Sequence, residues 1–219
     1  MSTQTVSTDL VRHVRSVVEG VQREYATGPA QQPTGAGSAW IAILRRLDPA
    51  RPGDDPSAWG LILDRMPSTL AGREGRDGAF VPSRAESAAH AAICLYAIHQ
   101  QSHGDPVHVR HRRPGLAFGT LARARAMGDQ QYSPSVVAHI HAASTASTIE
   151  RRLYELRTLI TLLRGERAPR ITLDYGLLAR DLYRLDDPMR ASSVRLAWGR
   201  DLHARQTAEP TPSHTPGDE

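Results

Sequence analysis

Apolar residues recur along this chain at helical spacing and almost nowhere in strict alternation, so the pattern predicts helices and no sheet. Val11, Val14, Val17, Val18 and Val21 share one face of a helix over 8–25. A Gly/Pro/Gln stretch, 28–37, reads as a loop, after which Ser38 is placed to cap a helix that turns Trp40, Ile41, Leu44 and Leu47 inward. Prolines break the chain over 48–56, and a short helix over 57–66 follows, with Trp59, Ile62 and Leu63 as its packing residues. The Gly- and charge-rich segment 67–82 reads as a mobile loop. The helix at 84–101 is alanine-rich and apolar on most sides, which marks the centre of a bundle. Five more helices are predicted over 116–127, 134–143, 148–163, 173–185 and 188–205, the last opened by Asp187 as cap and Pro188 in the first turn.

These elements suggest an all-α chain of two small helical bundles in tandem. An N-terminal helix and loop cover 1–37, and bundles over 38–105 and 114–205 are divided by the polar connector at 102–114. The tail 206–219 has no apolar residues to bury and reads as disordered. With 219 residues, 40% hydrophobic and 5% aromatic, the chain is long enough for a sizeable core built from Ala and Leu. Cys94, the one cysteine, stands in an apolar run and reads as a small buried hydrophobe. No stretch resembles a signal peptide or reaches the roughly 20 apolar residues of a membrane span, so a cytoplasmic protein without a membrane partner is expected.

Charge changes the picture more than composition does. All 27 basic residues are arginine, a planar and permanently ionised fork that suits phosphate and stacks on bases. The net charge is only +4, but the segment 106–128 carries Arg110, Arg112, Arg113, Arg123 and Arg125 with no Asp or Glu. Such a local patch matters more for nucleic acid than the global sum. In the helix 148–163, Leu153, Leu156, Ile160 and Leu163 form a narrow stripe, and Arg157 and Arg164 lie seven residues apart along its edge. Arginines braced in that way suit backbone phosphates, although a solvated helix flank has the same pattern.

Catalytic and metal signatures are weak. His99 and His103 stand four apart at a helix end, but no cysteine and only Asp105 is near, so they read as histidines beside a basic patch. Asp54–Asp55 and Asp186–Asp187 lie in turns, where acids cap or are solvated. There is no nucleophile elbow and no P-loop; Gly115 to Gly119 lacks the Lys-Ser/Thr that would follow a phosphate cradle. Trp40, Trp59 and Trp198 sit at core spacing and read as packing residues. No catalytic residue, metal ligand or cofactor is assigned.

Several segments together resemble the CasB family, the small subunit of the type I-E CRISPR Cascade complex. They are Trp40-Ile-Ala-Ile-Leu-Arg-Arg46, the helix from Ala91 to Gln101, Leu116-Ala-Phe-Gly119, the run from Leu156 to Leu163, the run from Leu173 to Leu182, and Trp198-Gly-Arg-Asp-Leu202. The resemblance implies a non-catalytic subunit that bridges partners of the CasA, CasC, CasD and CasE types. It also implies contact with crRNA and with target DNA, the displaced strand included, and a homodimer within the complex. Sequence would be read by the guide's base pairing, leaving shape and charge to the protein. By motif position, Arg45, Arg46 and Arg157 are the family-type contacts, with Arg123 and Arg125 beside them. One segment departs: where the family tends to carry Arg-Arg-Phe, this chain has 136–141, with His139 and His141 as its basic-capable residues. The alternative is a helical, sequence-specific transcriptional regulator with a helix-turn-helix over 122–143, but its second helix lacks Arg, Gln or Asn to read bases.

Overall fold

The computed structural model describes residues 3–26, 34–166 and 170–204. Among these residues the chain runs through α1 (Thr3–Tyr25), α2 (Gly35–Leu44), a 3₁₀ turn (Pro56–Ala58), α3 (Trp59–Ile62), β1 (Arg73–Glu74), β2 (Phe80–Val81) and α4 (Arg84–Gln100). Then follow α5 (Pro114–Ala124), α6 (Pro134–Thr145), α7 (Ile149–Gly165), α8 (Tyr175–Leu185) and α9 (Pro188–His203). The fold is all-α apart from one antiparallel hairpin of two residues per strand. The expected tail at 206–219 lies outside the described residues.

Local chemistry starts most of these helices where the pattern places them. Ser83, Thr148, Asp174 and Asp187 each accept a backbone N–H in the first turn of α4, α7, α8 and α9. Pro114, Pro134 and Pro188 open α5, α6 and α9, where a missing N–H costs nothing. The cap of α2 is Thr34 rather than Ser38: its hydroxyl accepts from the Gly37 amide at 3.0 Å. Gly35 and Gly37 are therefore helical, and Gly37 passes so close to the backbone of Glu24 that a Cβ would stand 2.6 Å from it.

α4 is the hub, burying every residue except Arg84 and Ser87, and packing on α1, α2, α3, α7 and α8. Its alanines let so many neighbours approach at once. α5 reaches α9 by the same means: a Cβ on Gly115 would stand 2.7 Å from the Asp201 Cβ, and one on Gly119 3.0 Å from the Leu202 Cα. The two glycines are thus helix-contact positions.

Three expectations change. The segment expected to be a mobile loop, 67–82, holds the hairpin and is anchored by Leu70, fully buried, and by Glu86, which accepts from the Gly72 amide at 2.6 Å. The short helix ends at Ile62, and Trp59 is 48% exposed, so it is no core tryptophan; four residues cannot bury a whole indole. Connector 102–114 is not wholly polar: Val107 and His108 are buried, and the Val107 carbonyl and Val109 amide pair with Leu173 ahead of α8. α1 and α4 pack on α8, and the buried apolar residues form one continuous cluster across the connector.

Candidate nucleic-acid interface

Three of the five arginines of the acid-free run 106–128 find acids elsewhere. Arg110 donates to both oxygens of Glu19 on α1, at 2.5 and 2.7 Å, and this pairing holds the Glu19 carboxyl below its ordinary range. Arg113 lies 2.7 Å from Asp201 on α9, and Arg125 donates to Glu166 after α7 at 2.6 Å. Arg123 donates to the Leu202 carbonyl, at the end of α9, at 2.9 Å. Arg112 is exposed, and its own carbonyl accepts from the Asp174 amide.

Asp174 ties this region together. It is fully buried, caps α8, accepts from Arg15 through two oxygens, and accepts the His111 amide at 2.8 Å. Burial pushes its carboxyl up, but Arg15 and the His111 amide outweigh that and leave it below the usual range. His111 adopts φ 68°, the bend that turns the connector into α5.

The other candidates stand apart. Arg45 and Arg46 are exposed at the end of α2, Arg45 donating to Gln101 at 3.2 Å. The side chain of Arg46 makes no hydrogen bond or ion pair with a described residue. It contributes a minor part, behind Ser57, to holding the exposed Asp55 carboxyl below its ordinary range. Arg157 is exposed on α7 and is likewise without such a partner, and Arg164 is half-buried, its carbonyl taken by His103. Of the two other α7 cations, Arg151 is exposed and Arg152 is buried. Arg152 donates to the carbonyls of Ala143 and Ala146 at the end of α6 and of Leu185 at the end of α8, where a cation complements two helix C-termini.

Of the histidines near the connector, His99, His103 and His108 are buried, and only His111 is exposed beside the arginines. His99 Nδ1 and the Tyr175 hydroxyl share a hydrogen bond of 2.8 Å, and burial, then His103, lowers the imidazole to about 3. His108 accepts from the Tyr175 amide at 3.1 Å. Among the described residues no group of His, Cys, Asp or Glu is arranged to hold a metal. In the departing segment His139 is engaged with Glu155 at 2.6 Å, which also takes Arg151, while His141 is exposed. Cys94 is buried in α4, and burial pushes its thiol up. Trp198 is buried, packs edge-on to Phe118 and donates to Asp181 at 2.9 Å.

Arg12, Arg15, Arg180 and Arg184 escape a reading along the chain. They join Arg110 around one groove between α1 and α8. Their only sequence signal is a pair three apart and a pair four apart in segments some 165 residues distant, and packing of α1 on α8 alone unites them. In α6 the exposed face carries Ser135, Ala138, His141 and Thr145, and none of the Arg, Asn or Gln side chains that make bidentate contacts to bases.

Fold and surface define an all-α protein with an arginine-rich exterior, some of it internally balanced and some not. A model of the family described as CRISPR-associated protein Cse2 matches residues 40–203. The crystal structure of CasB from Thermobifida fusca is similar with a TM-score of 0.65 and 33% sequence identity, over 91% of this chain and 98% of that one. No curated protein is similar enough to count as a relative. The chain belongs to the Cse2 family of CRISPR-associated proteins, the CasB family it resembles in sequence, and so to the subunits of Cascade. No helix among the described residues is long and apolar enough to cross a membrane.

Proposed function

We propose that this chain is a non-catalytic, cytoplasmic subunit of a type I-E Cascade complex. It bridges subunits of the CasA, CasC, CasD and CasE types as a pair of copies, and steadies the hybrid of crRNA with target DNA and the displaced strand. The observation that carries the reading is the family match over 40–203, which spans the exposed arginines Arg45, Arg46 and Arg157. The side chains of Arg46 and Arg157 form no hydrogen bond or ion pair with a described acid, and an open guanidinium is what a passing phosphate requires. A protein with this role need not read bases, which agrees with an α6 whose exposed face lacks Arg, Asn and Gln.

The test is copurification of the tagged chain with its operon neighbours. Recovery in a large RNA-containing particle, with two copies per particle, supports the reading. Charge reversal of Arg45, Arg46 and Arg157 should then weaken target DNA binding by the particle while leaving its subunit composition intact. Purification of the chain alone, without RNA and with preference for one duplex sequence, overturns it in favour of a regulator.

A further inference from the structure

Five arginines line a groove of about 450 Å³ between α1 and α8: Arg12 and Arg15 from α1, Arg180 and Arg184 from α8, and Arg110 from the connector at one end. No carboxylate and no aromatic ring lines it. Four of the five reach acids set behind or beside the groove: Arg12 to Asp9, Arg15 to Asp174, Arg110 to Glu19 and Arg180 to Asp181. Those bonds orient the forks without filling the space between them. Arg184 makes no hydrogen bond or ion pair with a described residue, and burial, then the charge of Arg180, lowers its affinity for its own proton. Positive charge is therefore crowded here, with no lining acid to offset it.

We propose that the α1–α8 groove is a seat for the sugar-phosphate backbone of a nucleic-acid strand, held without regard to base. The inference rests on the nucleic-acid role proposed above and adds a surface to it. A protein partner is disfavoured by the lining, since stable protein interfaces centre on apolar or aromatic anchors, and here Val11 and Leu177 are the only apolar side chains. Stacked bases are disfavoured by the missing rings. Planar guanidinium forks around an open groove match phosphates.

Arg12 and Arg184 are the residues to change. Arg12 is 74% exposed, and Arg184 makes no hydrogen bond or ion pair with a described residue, feeling among described acids only the charge of Asp181 behind the groove. Arg15 is left alone because Asp174 depends on it. Binding of the full chain to labelled poly-dT and poly-dA is followed by fluorescence anisotropy over a salt series. Arg12→Gln with Arg184→Gln should weaken binding roughly tenfold at low salt and lower the slope of log K against log salt by roughly 1.4, two phosphates at about 0.7 each for a single strand. The loss should be equal for both strands, with the melting temperature unchanged. Should the double variant fold poorly, Arg12→Glu alone serves, with a smaller loss of the same kind.

Wild-type binding that survives the groove variants with its salt slope intact, but falls in Arg46→Gln with Arg157→Gln, overturns the groove and spares the functional reading. No wild-type binding to either strand overturns both. Dependence on Arg12 and Arg184 for poly-glutamate but not for DNA overturns the groove as a nucleic-acid seat and assigns it to an acidic protein.

Discussion

The connector 102–114 with α5 and the flank of α7 both present arginines at helical or loop surfaces, yet their charges have different fates. In the connector and α5, Arg110, Arg113 and Arg125 close onto Glu19, Asp201 and Glu166, each brought from a remote part of the chain. On α7, Arg157 stays exposed without a described partner, although two acids, Glu150 and Glu155, precede it in the same helix. A local count of acids thus misjudges both places. The run 106–128, with no acid of its own, is the better balanced, because balance is struck across the fold and not along the chain.

On this contrast, removing an acid that braces the connector from elsewhere in the fold should disturb stability, and removing the exposed α7 cation Arg157 should not. The largest effect belongs to Asp174→Ala, which strips the α8 cap and leaves Arg15 facing a buried void; about 3 kcal/mol should be lost. Urea denaturation measures it, and a loss under about 1 kcal/mol would mean that acids do not hold the connector in place.

Acid should act next. His99 is neutral in the fold down to about 3, whereas the unfolded chain takes up a proton near its ordinary value of 6.5. The unfolded state therefore binds more protons between those values, so this stability is complete above 6.5 and drains away as the pH falls, by about 2 kcal/mol at about pH 5. Burial also lowers His13, His90 and His108, which pull in the same direction. Melting temperatures across this range should fall with pH, and the fall should be shallower in His99→Gln; an equal slope would move the acid sensitivity elsewhere.

Arg113→Ala should cost about 1 kcal/mol, because Arg113 is half exposed while Asp201 keeps a buried carboxylate that loses its cation. Smallest of all is Arg46→Glu with Arg157→Glu, which should shift stability by less than about 0.5 kcal/mol. A melting temperature that dropped by many degrees would show these side chains to be structural after all, and the comparison between the two regions would fail.

The helices themselves were legible in the chain. Periodic Val, Leu and Ala positions predict every helix from α4 to α9 to within a few residues, because a stripe of apolar side chains at 3.6-residue spacing has one way to be buried. Capping residues such as Asp187 are equally local, since they act on amides two or three positions away. Spacing points to Ser38 rather than Thr34 as the cap, because two glycines inside a helix look like loop until Gly37 is placed against the α1 backbone. Trp59 has core spacing yet is exposed, because spacing says which face a residue is on, but not whether anything covers that face.

Fold class, the hub role of α4, and the family motifs from Trp40 to Leu202 were determined by sequence alone, because each rests on near-neighbour spacing and on the burial that such spacing implies. Tertiary structure decided which charges are spent and which remain. Asp174 sits 159 residues from Arg15, Glu19 stands 91 from Arg110, and the five arginines of the groove come from three separate segments. Coulomb interaction acts over ångströms of space and is indifferent to chain separation, so only packing of α1 on α8 and α5 on α9 reveals where this protein is neutral and where it is positive.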